Sequence, residues 1–308
     1  MSEISREVLT GVGPDGIDVR EYSDNQDVKL PSVTTVLQTR DDDKSNLYAW
    51  QDRNDGEGDN AHHEHLFWYK RHRGTLCHFY ALEQLDPTLE WSDDEQQSED
   101  EIVRQIESEV VGDHSREILY SVLKDQNSVD SWGDFYDKHS PYSEIDHFTQ
   151  ELRRQCERDI DYFLQAFDEI CTQLNVGPDD TIAVEKFLFN EQDGYAGQVD
   201  LVYECPQTGD TVVADLKTSS GCYDKHKIQG AAYGRSVEIL MDLDVDRLEV
   251  WRIHPDTGQW AVHCDDEPTE IHTSDWWDDD YRTLLDQFLE LSNAFEYDSP
   301  DDYQDTTA

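Results

Sequence analysis

The chain has 308 residues, of which 36% are hydrophobic and 11% aromatic, enough to bury the core of one large domain or two small ones. This aromatic content and a clear apolar periodicity exclude disorder over most of the length. Asp and Glu number 71 against 24 Lys and Arg, for a formal net charge of −47. Such repulsion is screened in molar salt, where the Debye length is about 3 Å.

The acidity therefore predicts a protein of an extreme halophile, a halophilic archaeon or its virus. When the whole surface is adapted to salt, its charge says little about partners, and nucleic acid is not excluded. The N-terminus, "MSEISREVLTGVGPDG", has no apolar run of a signal peptide, and no run of about 18 apolar residues occurs anywhere. We expect a cytoplasmic location in a high-salt cytoplasm, with no membrane partner.

The N-terminal half is predicted to be largely helical. Residues 1–30 are expected to form an N-terminal extension, and Ser32 is expected to cap the helix "VTTVLQT" that follows Pro31. The helical part is predicted to cover about 31–178. Apolar residues recur at helical spacing in three longer segments: 66–85, 101–126 and 148–175.

From residue 180 the pattern changes to short β-type runs, which predict a sheet core over about 180–264. The order of elements predicts an α/β fold with a mixed central sheet. We expect one domain over 31–296 and a disordered acidic tail over 297–308. The predicted elements of this half are strands at 182–189, 197–204 and 211–217, a helix at 225–241, strands at 246–253 and 259–264, and a helix at 276–295.

Three charged residues interrupt two of these strands at positions where apolar residues are expected. If "CPQTGD" connects an antiparallel hairpin, Glu204 faces Thr211 and Asp200 lies opposite Asp215. Lys217 then shares their face. Two opposed carboxylates repel each other, and a divalent cation between them would reverse the sign of that interaction.

An oxygen-rich site of this kind suits Mg²⁺ or Mn²⁺. A lysine beside it can orient an attacking water, help to deprotonate it, and offset negative charge that develops on phosphate. This is the chemistry of phosphodiester hydrolysis.

The context of these residues resembles the PD-(D/E)XK nuclease superfamily. The nearest branch would contain the RecB nuclease domain, lambda exonuclease and the CRISPR-associated exonucleases, and it implies a restriction-endonuclease-like core. Five segments carry the resemblance: "PSVTTVL" at 31–37, "RGTLCH" at 73–78, "GQVD" at 197–200, "VADLK" at 213–217 and "QGAAY" at 229–233.

The resemblance implies a role for each matching residue. Asp200 and Asp215 would bind the metal, Lys217 would be the catalytic lysine, and His78 would be an additional ligand. Glu185, on the strand before "GQVD", would be a further active-site acid.

Gln229 and Tyr233, four residues apart and so on one helical face, would line the substrate side. The few basic residues cluster near the motifs, and Arg73, Lys225 and Lys227 are predicted phosphate contacts. At molar salt, counterion release contributes little to DNA binding, so stacking of bases on aromatic side chains would have to contribute more of the binding free energy. Tyr223, Tyr233 and Trp68 are the predicted stacking partners.

Several relatives in this branch hold an iron–sulfur cluster through one upstream and three C-terminal cysteines. Here the six cysteines include no C-x-x-C pair, and only Cys264 follows the core. We therefore expect packed thiols and no iron–sulfur cluster, as in the cluster-free phage-type exonucleases.

The sequence predicts a metal-dependent DNA nuclease, an exonuclease of recombination, repair or viral genome processing. Three alternatives stay open: a structure-specific endonuclease of the same fold, a CRISPR-adaptation nuclease, and a non-catalytic nucleic-acid-binding module. The predicted partners are DNA and a recombinase or helicase. Polarity, strand preference and oligomeric state are left open.

Overall fold

A computed structural model describes residues 11–12, 18–19, 21–23, 28–38, 40, 61–89, 119–126, 128, 134–135, 138, 145–219, 221–264 and 280–295. The chain forms two compact units. The first comprises Met1–Asp41, Glu169–Ile253 and Trp260–Ala308, and the second comprises Asp42–Asp168 and His254–Gln259.

The first unit is built on a five-stranded mixed sheet. Its strands, in their order across the sheet, are β5 Thr181–Asn190, β6 Tyr195–Glu204, β7 Thr211–Lys217, β8 Arg247–His254 and β9 Gln259–Cys264. The first three strands are antiparallel neighbours, and β7 and β8 are parallel. The predicted α/β class with a mixed sheet is confirmed.

The hairpin of β6 and β7 has the predicted register. Glu204 pairs with Thr211 and Leu201 with Ala214, so the next position along each strand brings Asp200 beside Asp215. The connection closes when the Gly209 N–H donates to the Cys205 carbonyl at 2.7 Å. Gly209 has φ +78°, a left-handed conformation that glycine adopts without strain.

Helix α4, Asp224–Met241, connects the parallel strands β7 and β8, as such a pair requires. Its apolar face packs on the sheet in a core that also contains Val202, Val213 and Phe288. The Tyr195 hydroxyl donates to the Ala232 carbonyl at 2.9 Å, which fixes the helix on β6. Helix α5, Tyr281–Ala294, completes this core.

Helix α1, Val33–Gln38, begins where the sequence predicts. The Ser32 hydroxyl accepts from the Thr35 N–H at 3.0 Å, which satisfies one of the donors left open in a first helical turn. Short strands pair before it: β1 Gly11–Val12 with β2 Asp18–Val19, and β3 Glu21–Ser23 with β4 Lys29–Pro31.

The second unit is mainly helical in its described residues, apart from the turn between β8 and β9 and the residues that follow Leu82. Helix α2 spans Ala61–Leu82, α3 spans Ile145–Leu174 and continues into the first unit, and residues 119–125 are also helical. Both long helices lie close to their predicted positions. Their core contains buried aromatic and aliphatic side chains: Tyr69, Leu76, Leu119, Tyr120, Val122, Phe135, Leu152 and Cys156.

Several predictions concern residues outside the described ranges. They include most of the N-terminal extension, the start of the predicted helix at 101–126, the first residues of the helix at 276–295, and the tail at 297–308. The single domain over 31–296 stays a prediction, because compact units of one chain can fold together or separately. No helix in the described part of the chain combines the length and apolar character needed to cross a membrane.

Candidate active site

Three acidic residues lie in a row across neighbouring strands of the first unit. The β5–β6 register pairs the residues on either side of Glu185 with those on either side of Asp200. The β6–β7 register then brings Asp200 beside Asp215. The Glu185 and Asp200 carboxylates offer oxygens that lie within 4.8 Å of each other. The sheet therefore gathers negative charge that would repel if left uncompensated.

Glu185 has a strained backbone. Its φ of +45° lies in the left-handed region, which side chains other than glycine seldom adopt and which costs about 1–3 kcal/mol. The Gln198 side-chain amide donates to the Glu185 carbonyl at 3.3 Å across the strand pair. Strain of this kind is concentrated at functional sites, and here it falls on one of the three acids.

Asp200 is half-buried and held by the backbone of β7. The Leu216 N–H donates to its Oδ2 at 2.7 Å, so the carboxylate is directed toward the neighbouring strand. Burial raises the pKa of Asp200, and this outweighs the Lys217 ammonium and the Leu216 hydrogen bond, which lower it. The charged form of Asp200 is thus costly in this site and would gain from a cation.

Asp215 and Lys217 form a close ion pair on β7. Asp215 is 1% exposed, and the Lys217 Nζ lies 2.5 Å from its Oδ2. Burial lowers the pKa of Lys217, but Asp215, Asp200 and Glu185 together raise it above its usual value. Lys217 therefore remains an ammonium at neutral pH, suited to stabilising negative charge and to donating hydrogen bonds.

Glu249 is a buried carboxylate on the other face of the sheet, and its hydrogen-bond donors are on neighbouring residues of the fold. Glu249, directly beside Ala214, accepts from the Tyr203 hydroxyl at 2.8 Å and from the Trp251 indole N–H at 2.7 Å. The Arg247 guanidinium donates to its other oxygen at 3.0 Å. One carboxylate with a cation and two neutral donors is a structural network. The row at Asp215 instead brings three carboxylates close to one another, with Lys217 beside Asp215.

The "QGAAY" segment lies on α4 above this row. Gln229 and Tyr233 are both buried, and the Gln229 amide donates to the Tyr233 hydroxyl at 2.9 Å. The pKa of Tyr233 is raised well above its usual value, mainly by burial and next by the negative charge of Asp215. The hydrogen bond with Gln229 acts in the opposite direction but is weaker. The two residues share a face as predicted and adjoin the acids, with Tyr233 a neutral phenol.

Gly197 gives the Tyr233 ring its space. A Cβ at this position would lie 2.7 Å from Tyr233 Cε1 and 3.2 Å from Val33 Cγ2. Neither atom is at the end of a flexible chain, so the packing requires glycine here. This explains physically why a glycine precedes Asp200 by three residues.

We expect Gly197→Ala to lower the free energy of unfolding by about 1–3 kcal/mol, because the methyl group overpacks the core under Tyr233. Urea unfolding at molar salt measures this. Gly230→Ala is the matched control, since a Cβ at Gly230 would have no neighbour within 4 Å. Because alanine favours the helix more than glycine, this substitution should raise the free energy of unfolding by up to about 1 kcal/mol. Equal effects of the two substitutions would contradict the argument.

His226, in the first turn of α4, was not among the predicted site residues. His226 is buried. Its pKa is lowered to about 3, mainly by burial and to a smaller extent by the positive charges of Lys217, Lys225 and His263. Its Nδ1 accepts from the Tyr223 N–H at 3.4 Å. The sequence offered only a histidine near two lysines, a signal too weak to identify a buried neutral imidazole.

The depressed pKa of His226 predicts a pH dependence of stability. As pH falls below about 6.5, the unfolded chain binds a proton that the folded protein does not take up until about pH 3. Between pH 7 and 4.5 this residue alone should remove about 2–3 kcal/mol of stability. His226→Phe should flatten the pH profile by that amount in urea unfolding; parallel profiles would contradict the assignment.

The remaining predicted residues differ in their surroundings. His78 is half-buried in the second unit, where its ring stacks on Phe163 with centroids 6.4 Å apart. Lys225 is exposed, and Lys227 pairs with Asp224 at 3.3 Å. The Trp68 side chain lies outside the described part of the structure.

Arg73 is 3% exposed, which is an unusual position for a phosphate contact. In the second unit its Nη1 donates to Asp159 at 2.7 Å and also to Asp256. The Asp159 carboxylate additionally accepts from the Tyr69 hydroxyl at 2.9 Å. The guanidinium is thus engaged in an internal network, and its role in substrate binding gains no support from this position.

Comparison with known proteins adds little to this geometry. No protein-family model matches the chain, and no curated protein is similar to it. A solved structure described as "Crystal structure of SSO0001" is similar over 55% of this chain and 69% of its own length. The identity is 15% and the TM-score 0.25, a likeness too low to carry an argument about fold or function.

Proposed function

We propose that this protein is a metal-dependent DNA nuclease with a PD-(D/E)XK core, working as an exonuclease. The observation that carries the proposal is the row of Glu185, Asp200 and Asp215 on three neighbouring strands, with Lys217 2.5 Å from Asp215. Such a concentration of buried and half-buried like charge costs stability, and an idle site has no need of it.

The donor set fits Mg²⁺ or Mn²⁺. Two oxygens that bind one such ion at about 2.1 Å can be at most about 4.2 Å apart. The Glu185 and Asp200 oxygens lie within 4.8 Å of each other, so a movement of about 0.6 Å or less would let both bind one ion. Asp215 would supply a further hard oxygen ligand. His78, carried over from the resemblance, stays a predicted ligand. A bound divalent ion would activate water and polarise a phosphoryl oxygen.

The protein's own residues would position the substrate and stabilise charge. The Lys217 ammonium would donate to a phosphate oxygen as negative charge develops there. The Leu216 N–H keeps Asp200 directed toward β7, which limits reorganisation when phosphate binds. Gln229 and Tyr233 would border the scissile phosphate from α4, since both are buried beside the acids.

The experiment is a cleavage assay of the full chain in about 2–3 M KCl, conditions in which its own charge is screened. End-labelled linear and closed circular DNA, single- and double-stranded, is incubated with Mg²⁺, with Mn²⁺ or with a chelator. We expect loss of linear DNA only, and only with metal.

Cutting of closed circles would replace the exonuclease with a structure-specific endonuclease of the same site. DNA binding without cleavage under any condition would favour the non-catalytic binding module. Cleavage that persists in chelator would remove the metal from the proposal.

A further inference from the structure

Tyr223 is an exposed aromatic residue at the entrance to α4. In the described ranges, four large hydrophobic side chains are exposed: Tyr162, Ile182, Tyr223 and Leu240. Tyr223 is the most exposed of them, at 49%. It follows Lys217 by six positions, at the end of the connection from β7. Such exposure costs hydrophobic free energy unless something covers the ring.

The Tyr223 ring is held in place on one side. The buried His226 ring meets it edge to face, with centroids 5.2 Å apart and planes at 79°. The His226 Nδ1 also accepts from the Tyr223 N–H. Gly221 lies beside the ring as well, since a Cβ there would be in ordinary van der Waals contact with Tyr223 Cζ, at 3.7 Å. A ring fixed in this way loses little entropy when it binds a flat ligand.

The charges near Tyr223 favour a phosphate-bearing ligand. Lys225 is exposed, and its charge acts on the His226 ring that contacts Tyr223. Lys227 is near as well, although Asp224 partly offsets its charge. Cys222, adjacent to Tyr223, lies close enough to Lys227 and Asp215 for both to influence its thiol. Tyr223 is thus close in the chain to both lysines, and the neighbouring Cys222 is within the electrostatic influence of Asp215.

On the basis of the proposed function, we propose that Tyr223 is a stacking platform for an unpaired nucleobase of a single-stranded DNA end. The base would lie on the exposed part of the ring while its phosphodiester extends toward Asp215 and Lys217, with Lys225 contacting a flanking phosphate. Tyr223 would thereby select single strands, because the bases of a duplex are stacked on one another and hide their faces.

Stacking also suits the salt in which this protein is expected to work. Attraction between lysines and phosphates weakens steeply as salt rises, because counterion release loses its driving force. Contact between a base and an aromatic ring does not depend on charge and contributes about 1–3 kcal/mol per base. At molar salt an exposed tyrosine can therefore contribute more to affinity than an exposed lysine.

The test measures binding of fluorescein-labelled single-stranded oligothymidylate and of a blunt duplex, by fluorescence polarisation in about 2–3 M KCl with chelator. Tyr223→Ala should weaken binding of the single strand by about 5- to 150-fold and leave the duplex unchanged. Tyr223→Phe keeps the ring and should stay within about twofold of wild type. Tyr162→Ala, which removes a comparably exposed tyrosine (39%) from α3, is the matched control and should have no effect.

A second arm replaces the oligothymidylate by a chain of abasic sugar phosphates. The wild type should lose about the same factor of 5 to 150, and Tyr223→Ala should lose nothing further. Unchanged affinity of Tyr223→Ala for the single strand, in a protein that binds and cleaves DNA, would overturn the platform and leave the nuclease standing. Equal losses on single strand and duplex would also overturn it. A wild type that binds neither DNA here, and cleaves none with Mg²⁺ or Mn²⁺, would overturn both proposals.

Discussion

Replacing Asp215 by Asn, or Lys217 by Met, is expected to lower the rate of metal-dependent DNA cleavage by about 10²- to 10⁴-fold. Asn cannot supply the charge that holds a cation, and Met cannot stabilise charge on phosphate. Single-turnover rates on labelled linear DNA measure the effect. Lys186→Met, which removes an exposed lysine from strand β5 of the same sheet, is the control and should leave the rate unchanged.

A second measurement separates metal binding from chemistry. Because a ligand that binds only the folded state stabilises it, Mg²⁺ should raise the melting temperature of the wild type. The rise should shrink in Asp215→Asn and persist in Lys217→Met. If both substitutions leave cleavage intact, the active site lies elsewhere in the chain.

Arg73→Met is expected to lower the free energy of unfolding by about 3–5 kcal/mol, because it leaves the Asp159 and Asp256 carboxylates without their cation. Asp159 is fully buried, and burial already raises its pKa, against the lowering effect of Arg73. Without Arg73 the carboxylate should be protonated more easily, so the loss should diminish as pH falls. Urea unfolding at several pH values measures both effects.

The matched control is Arg71→Met, which removes an exposed arginine two positions earlier on α2. It should change stability by less than about 0.5 kcal/mol. Normal stability of Arg73→Met together with weakened DNA binding would instead assign Arg73 to the substrate, as the basic cluster in the sequence suggested.

The positions of most elements could be predicted because they follow from local patterns. The period-2 alternation over 197–204 and 211–217 corresponds to β6 and β7 within two residues, and the short connection between them fixed the register. Ser32 caps α1 because a hydroxyl before an apolar periodic run is a local signal. The acids of β6 and β7 and Lys217 could be assigned to one face for the same reason.

Other parts of the site depend on contacts between distant segments. The left-handed backbone of Glu185 has no local signal, since glutamate rarely adopts it. The buried surroundings of Arg73 depend on Asp159 and Asp256, which are 86 and 183 positions away. A sequence pattern identifies a basic residue, but burial and partners decide whether its charge serves the fold or a ligand.

The sequence by itself determined the acidic character of this protein, its α/β order of elements, and the hairpin that sets Asp200 beside Asp215. These follow from composition, from side-chain periodicity and from turn chemistry, all of which act over a few residues. Only the tertiary structure decided that Glu185 joins the row, that His226 is neutral and supports Tyr223, and that Gly197 makes room for Tyr233. Each of these depends on desolvation and on packing between segments far apart in the chain, which no local pattern encodes.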